Sequence, residues 1–316
     1  MVTFRPKSSR VGGHLFNTGV LTVILALQGC ANLESVSNFA KQSSSLTGSE
    51  EAIDYWATWD KRVRKFDPIL DRIHQPGTPF PDRPAGPTSP PTPQEVAAIK
   101  SLQGVLSAYM LRLGELADDK AVDVSAQVDG LVTNLGNLPV RGTTPTEIAE
   151  EKASNAAAYK AYGGILKLVK LPLEAYRNYK VKQIVTDNNS DIQALTKGLF
   201  IAMNSVSKFV YSEKNSVATW YDTQARQTPI GKNFDDAYLR EENKAKLISG
   251  FADKKKAIIA YKAALSTIGK AHQDMADNIS AFNTDSFKLL VRELKEAQEE
   301  VVAARKQYED AFKTEE

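Results

Sequence analysis

Three residue types in this 316-residue chain could do chemistry: one cysteine, three histidines and 38 acidic side chains. Cys30 is the sole thiol, so an intramolecular disulfide is impossible. None of the histidines, His14, His74 and His272, has a second histidine or a cysteine four residues away, the spacing that puts two metal ligands on one face of a helix. Pairs of carboxylates arise by chance on solvated helix faces when acids are this numerous, so such pairs do not indicate catalysis.

The motifs of common catalytic and nucleotide sites are missing from the sequence. It contains no G-x-S-x-G elbow, no G-x-x-x-x-G-K-[ST] phosphate loop, no C-x-x-C pair and no H-E-x-x-H. We therefore expect no enzymatic activity, no cofactor and no metal site. His272 lies in an apolar stripe, where we expect a hydrogen-bonded seam residue rather than a ligand or base. His74 precedes a proline-rich stretch, where its charge would favour the carboxyl end of a helix.

Aromatic residues stand next to basic ones near the start of the chain. Tyr55, Trp56 and Trp59 precede the basic run 61–65. In one interpretation the indoles lie at the level of lipid headgroups and the cations bind anionic lipid. In the other, Tyr55 and Trp59 pack inward at a spacing of four residues and the cations form a solvated face. The second is favoured because it requires no partner. Residues 254–256, three lysines, likewise indicate a solvated face.

The amino terminus has the layout of an export signal. Arg5, Lys7 and Arg10 are followed by the run 20–27, in which every residue except Thr22 is apolar, and residues 1–29 contain no acid. Eight residues reach only about 12 Å as a helix, far short of the roughly 30 Å of a hydrocarbon core. This stretch is therefore too short for a membrane-spanning helix and is typical of a cleaved signal peptide.

The residues that close this leader resemble a known signal. The run Leu27-Gln28-Gly29-Cys30 is similar to the lipobox of bacterial lipoprotein precursors, and the resemblance covers the first 31 residues. It implies cleavage after Gly29, a diacylglycerol on the thiol of Cys30 and an acyl chain such as palmitate on the new amino group. Two or three acyl chains on one residue are enough for stable attachment. Ala31, a non-acidic residue, implies sorting to the outer membrane in a Gram-negative envelope.

Charge and hydropathy exclude two classes of protein. Without residues 1–29 the chain has 37 basic and 38 acidic side chains, a net charge of −1, because the leader takes three basic residues and no acid with it. A nucleic-acid-binding protein would keep a basic surface in the folded domain, so none is expected here. A mean hydropathy of −0.33 excludes a polytopic membrane protein. The expected partners are the membrane, through Cys30, and a protein.

Beyond the leader the apolar residues recur with a helical period and nowhere alternate like a strand. One stripe runs from Phe251 to Phe282 and another from Phe287 to Ala311, and earlier stripes include Ile99 to Leu116. The sequence predicts an all-α, elongated multi-helix bundle with long antiparallel helices. The predicted helices cover 33–46, 50–74, 93–118, 121–137, 145–186, 190–226, 234–282 and 284–313.

Local signals set the predicted boundaries. Thr92-Pro93 and Thr144-Pro145 are strong helix starts, each with a glutamate at the third helical position. Pro172 should break or kink the fifth helix, and 187–190, Asp-Asn-Asn-Ser, indicates a turn. Eight prolines between residues 76 and 93 indicate a stiff extended connector. The predicted organisation is a signal peptide (1–29), an amino-terminal tether and helices (30–75), a proline-rich linker (76–92) and a main helical bundle (93–316).

Residues 161–173, AYGGILKLVKLPL, form the most apolar stretch after the leader. Burial at a helix junction is favoured over a membrane-seeking tip, because two lysines make the stretch too polar to span a bilayer. Together these patterns predict a lipid-anchored bacterial envelope protein that acts as a helical binding or scaffolding module, in the outer membrane facing the periplasm. Two alternatives stay open: a periplasmic immunity-type lipoprotein that neutralises a toxin, and a helical pore-forming or membrane-remodelling protein.

Overall fold

The computed structural model describes residues 33–64, 66, 89–118, 124, 128, 131, 135–171, 180–227, 234–278 and 285–312. Within these ranges the chain forms helices and no strand, which confirms the all-α prediction. The helices are α1 (33–47), α2 (Glu51–Ala57), α3 (Trp59–Val63), α4 (Pro93–Ala117), α5 (Pro145–Val169), α6 (Val181–Gln227), α7 (Phe234–Asn278) and α8 (Asp285–Phe312). No helix of the described residues is both long and apolar enough to cross a bilayer.

The two predicted Thr-Pro starts begin α4 and α5. The hydroxyl of Thr92 accepts a hydrogen bond from the Glu95 backbone, and the Glu95 carboxylate accepts one from the Thr92 N–H, which completes a capping box. Thr144 caps α5 in the same way by accepting from the Glu147 N–H. Each cap satisfies amide groups that the first helical turn leaves unpaired, so helix initiation is determined locally.

Several pairs of contacting helices run antiparallel, as their contacts show. Asn189 of α6 faces Gln273 of α7 at one level, and at another Asp222 of α6 binds Lys244 of α7. The α7–α8 pair and the α5–α6 pair are antiparallel as well. Helix α1 crosses α4 in the opposite direction through a hydroxyl contact of 3.0 Å between Ser44 and Ser107. The buried residues of all eight helices, the first three included, form one hydrophobic cluster.

The predicted apolar stripes form this core. Ile99, Leu102, Leu106 and Tyr109 of α4 are fully buried, as are the corresponding positions of the last two helices. Those last positions are Ile258, Tyr261, Leu265, Ile268 and Met275 of α7, and Leu294, Val301 and Tyr308 of α8. Small residues let α5 and α6 approach closely, because a Cβ built on Gly198 would lie 2.6 Å from the Cβ of Ala158.

Two predicted boundaries are wrong. Residues 187–190 are helical and belong to α6, because the two asparagines find partners on α6 and α7 instead of forming a turn. Asn188, for example, donates to the Ile184 carbonyl at 2.8 Å. The predicted helix 50–74 is divided at Thr58, whose hydroxyl competes for the carbonyls of Asp54 and Tyr55.

Other predictions fall wholly or largely outside the described residues. They concern the leader with Cys30, His74, the linker as far as residue 88, Pro172 and most of the predicted helix 121–137. Helix α5 ends at Val169, three residues before Pro172. Residues 89–92, the described part of the proline-rich stretch, are not helical.

The helix directions define two ends of the bundle. At the first, the Leu33 end, α1, α6 and α8 begin while α4, α5 and α7 end. At the second, the hairpin end, α6 finishes at Gln227 and α7 starts at Phe234. Helix α6 has 47 residues, so these ends lie about 70 Å apart at 1.5 Å per residue. This confirms that the bundle is elongated.

Candidate functional site

The buried histidine predicted in the apolar stripe lies at the centre of a polar cluster. His272 is fully buried in α7. Its Nε2 lies 2.8 Å from the hydroxyl of Tyr109 on α4, and its Nδ1 lies 3.0 Å from Oδ1 of Asn189 on α6. The imidazole thus joins three helices through two hydrogen bonds. This confirms the prediction of a hydrogen-bonded seam residue.

The neighbouring amides determine where the proton of this imidazole sits. Gln193 donates from Nε2 to the Gly269 carbonyl at 2.7 Å and to Oδ1 of Asn189 at 3.2 Å. Asn189 Oδ1 is therefore an acceptor, so Nδ1 of His272 must donate and Nε2 must accept from the Tyr109 hydroxyl. The imidazole is neutral, and burial lowers the pKa of His272 to about 3.

This arrangement connects helices inside the core. Both imidazole nitrogens are hydrogen-bonded there and the side chain is fully buried, so the ring does not face a surface that a substrate could reach. Within the described residues, no three His, Cys, Asp or Glu side chains come together in a group that could hold a metal ion. The polar cluster connects α4, α6 and α7 at a defined register.

A second cluster joins the amino-terminal helices to α6. Glu213 is only 4% exposed at its side chain, and it binds Arg62 of α3 through Oε1 and Oε2 at 2.8 and 2.9 Å. The hydroxyl of Tyr55 donates to the same carboxylate at 2.9 Å, and the guanidinium lies 3.4 Å from the centre of the Tyr55 ring. Bidentate pairing and stacking hold this cation in one orientation.

The aromatic residues near this ion pair pack inward. Trp56 and Trp59 are buried, and both contact the ring of Phe209 edge-on. Half-buried Tyr55 lies against Phe312 in the same manner. The inward packing of Tyr55 and Trp59 is therefore confirmed, and the two indoles are not placed to lie among lipid headgroups. The prediction that the neighbouring cations form a solvated face holds for exposed Lys61 and Arg64 but is wrong for Arg62, because it pairs with buried Glu213. Of the lysines at 254–256, the last two are exposed, as predicted for a solvated face.

The apolar stretch that begins at Ala161 is buried where the structure describes it, which is as far as Leu171. Ala161, Tyr162, Ile165 and Val169 contribute one face of α5 to the core. Lys167 and Lys170 are exposed on the opposite side. The prediction of burial is thus confirmed for this part of the stretch.

An open cleft lies between α7 and α8. It has a volume of about 240 Å³, and Asp274, Glu293, Glu296 and Lys270 contribute charged side chains to it. Sites for small molecules typically occupy 300 to 1,000 Å³ and bury most of an apolar ligand, so this shallow, charged cleft does not fit one.

The two ends of the bundle differ in the chain segments and exposed side chains that lie next to them. At the Leu33 end, α1 starts three residues after Cys30, and its Phe39 and Ala40 are fully buried. A chain of three residues spans at most about 11 Å, so Cys30 stays close to this end whatever conformation the connection adopts.

At the hairpin end, α6 and α7 extend beyond the other described helices. Helix α6 continues for 14 residues, or about 21 Å, past Glu213. In the first ten residues of α7, all side chains are exposed except Ala237 and Arg240. The exposed ones include large apolar groups, Phe234 at 69%, Tyr238 at 62% and Leu239 at 54%.

The sequence predicts only part of these features. It places His272 in an apolar stripe, but it does not predict the hydrogen-bond partners of His272, because they lie 83 and 163 residues away in the chain. Phe234 and Tyr238 lie outside the apolar stripe that begins at Phe251, so the helical period of the sequence gives no signal for the exposed aromatic residues of the hairpin end. Comparisons of this chain with protein-family models, with curated proteins and with solved structures found no match.

Proposed function

We propose that this chain is a lipid-anchored bacterial envelope protein whose helical bundle serves as a binding or scaffolding module, without catalysis. The observation that carries the proposal is the distance along the chain between Cys30 and the bundle. The lipobox-like run ends at Cys30, and the buried helix α1 begins at residue 33. Acyl chains on that thiol would hold the Leu33 end of the bundle at the lipid surface.

Three features of the described helices support a binding role. Two buried groups capable of acid–base chemistry, His272 and Glu213, have hydrogen-bond partners within the core. The α7–α8 cleft is too small and too charged for a typical ligand site. The long helix pair α6–α7, in contrast, offers an extended surface to another macromolecule. The proposed location is the outer membrane, facing the periplasm.

The anchor is tested by Cys30→Ser in the full-length precursor. We expect this variant to lose labelling by a fatty-acid analogue and to move from the membrane fraction to the soluble fraction, because serine has no thiol to carry the diacylglycerol. Gln28→Ser is the matched control, since it alters the leader two residues away and leaves the thiol in place. Mass spectrometry of the native protein should find Cys30 as its first residue. Met1 retained together with a free thiol would contradict the proposal.

The identity of the partner distinguishes a scaffold from an immunity protein. Purification of the lipidated protein from detergent-extracted membranes should recover envelope components if it is a scaffold. Recovery of a single stoichiometric toxin would favour the immunity-type alternative instead. Leakage of liposomes caused by the purified protein, with no protein partner, would favour the pore-forming alternative.

A further inference from the structure

The hairpin end of the bundle carries an unusual combination of exposed side chains. Phe234 and Tyr238 are four residues apart and share one face of α7, and Leu239 lies beside them. A soluble protein seldom leaves two aromatic rings and a leucine this exposed within six residues, and contiguous apolar groups rimmed by charges mark interaction sites. We call residues 234–243 of α7 the hairpin tip.

The charge of the hairpin tip is negative. It contains Asp235, Asp236, Glu241 and Glu242 and one cation, Arg240. That cation points back toward α6, where it donates to the Gln224 carbonyl at 3.4 Å. All four acids are exposed. The outer surface of the tip therefore combines apolar rings with carboxylates.

The helix dipole accounts for two of these four acids. Asp235 and Asp236 lie in the first turn of α7, where acids interact favourably with the dipole. Glu241 and Glu242 lie two turns from the amino end, beyond the reach of that effect, and Glu241 in addition attracts Lys244 of the same helix. The next lysine, Lys244, is bound to Asp222 of α6 and so faces the other helix.

The position of the tip also favours a binding role. It lies about 70 Å from the Leu33 end, at the opposite end of the longest helix. If Cys30 is lipidated, as in the proposed function on which this step rests, the tip is the part of the described chain that lies farthest from the anchored end. A partner bound at the tip would therefore not compete with the anchor for space.

We propose that the hairpin tip is a docking site for another protein that presents a positively charged surface with an apolar centre. The aromatic rings and Leu239 would enter the apolar centre, and Glu241 and Glu242 would face lysines or arginines at its rim. An anionic membrane is disfavoured, because four carboxylates would be brought against its headgroups. A second copy of this chain is disfavoured as well, because two tips of the same charge repel each other.

The test uses the full-length protein in the cells that produce it, with a photo-crosslinking amino acid at Tyr238. The control carries the same amino acid at Tyr159, which is exposed on α5 far from the tip. We expect Tyr238 to form one discrete protein adduct that Tyr159 does not form. Mass spectrometry of the crosslinked peptide should find it rich in lysine or arginine. An adduct with lipid, with a second copy of this chain or with an acidic peptide would overturn the proposal, as would no adduct at all.

Charge reversal tests the electrostatic half of the proposal. Glu241→Lys with Glu242→Lys should reduce the yield of the adduct about tenfold, since opposing charges at an interface rim largely determine how fast partners associate. The matched control, Glu150→Lys with Glu299→Lys, changes the net charge equally at exposed sites elsewhere and should leave the yield unchanged. Both double variants should show the same urea midpoint as the parent. An unchanged yield from the tip variant would overturn the proposal.

The failure of this proposal can be distinguished from that of the anchor. If Cys30 proves unmodified but the basic adduct still forms at Tyr238, the docking site stands and the anchor does not. If Cys30 is lipidated but Tyr238 yields no such adduct, the anchor stands and the docking site does not.

Discussion

Single residues in the core join helices through polar contacts. The protein loses stability when such a contact is broken. His272 is the clearest case, because its neutral imidazole depends on Tyr109 on one side and Asn189 on the other. A charged imidazole at this position would have neither water nor a carboxylate beside it, since burial is what lowers its pKa to about 3. The protein should therefore be sensitive to acid through this one group.

Stability should fall as the pH decreases below 6.5. The unfolded chain binds a proton at His272 near its ordinary pKa of 6.5, whereas the folded chain does so only near 3, so protonation favours unfolding between these values. Because of this group, the free energy of unfolding should fall by up to about 1.4 kcal/mol for each pH unit. Urea unfolding measured from pH 7 to pH 4 should show this decrease. His272→Gln should lose that part of the slope, while His74→Gln should keep it; an equal slope in His272→Gln would contradict the assignment.

The ion pair between Arg62 and Glu213 should be asymmetric in its energetics. Arg62→Met leaves the carboxylate of Glu213, 4% exposed, with Tyr55 alone, at an expected cost of about 2 to 3 kcal/mol. Glu213→Gln should cost less, because the guanidinium is 22% exposed and can reach water.

The exposed pair of Arg64 with Asp60 is the control for this asymmetry. Arg64→Met should change the free energy of unfolding by less than about 0.5 kcal/mol, because both side chains are solvated. Denaturant midpoints of the three variants provide the measurement. Equal effects of Arg62→Met and Arg64→Met would show that burial does not determine the strength of this pair.

Elements of this bundle are determined partly by local signals and partly by contacts between helices. The Thr-Pro starts of α4 and α5 were predictable because the capping groups lie within three residues of each other. The continuity of α6 through residues 187–190 was not. The turn-forming tendency of Asn189 is overridden by its bonds to Gln193, His272 and Gln273, of which the last two belong to another helix.

Two glycines should respond in opposite ways to the same substitution. Gly198→Ala should destabilise the protein by about 1 to 3 kcal/mol, because the added Cβ would lie 2.6 Å from that of Ala158 and would push α5 away from α6. Gly163→Ala should stabilise it by up to about 1 kcal/mol, since its Cβ meets no atom within 4 Å and alanine is the better helix former. Thermal unfolding measures both; destabilisation by Gly163→Ala would contradict the open space beside it.

The described helices share one core. Phe39, Leu46 and Trp56 are buried in the same hydrophobic cluster as residues of α6 and α7. The apolar stripes indicate that each helix has a buried face. They do not indicate which faces meet, because the contacts that decide this join residues far apart in the chain, such as Tyr55 and Glu213, which are 158 positions apart.

One core should unfold in one step. We expect fluorescence from the three tryptophans, all in the first three helices or α6, to follow the same denaturation curve as helix content by circular dichroism. Two separate transitions would mean that residues 33–66 fold independently of the remainder. Trp56→Phe should reduce the free energy of unfolding obtained from either signal by about 1 to 2 kcal/mol, because it leaves a gap beside Phe209.

The unbroken course of α6 limits how this architecture can change in length. Each residue inserted into one helix rotates everything beyond it by 100° and breaks the match with its neighbour. Only additions of about seven residues, made in α6 and α7 together, bring the same faces of the two helices back into contact. Each such addition lengthens the bundle by about 10 Å. Related chains of different size should therefore fall into discrete length classes, spaced by two helical turns, and not vary continuously.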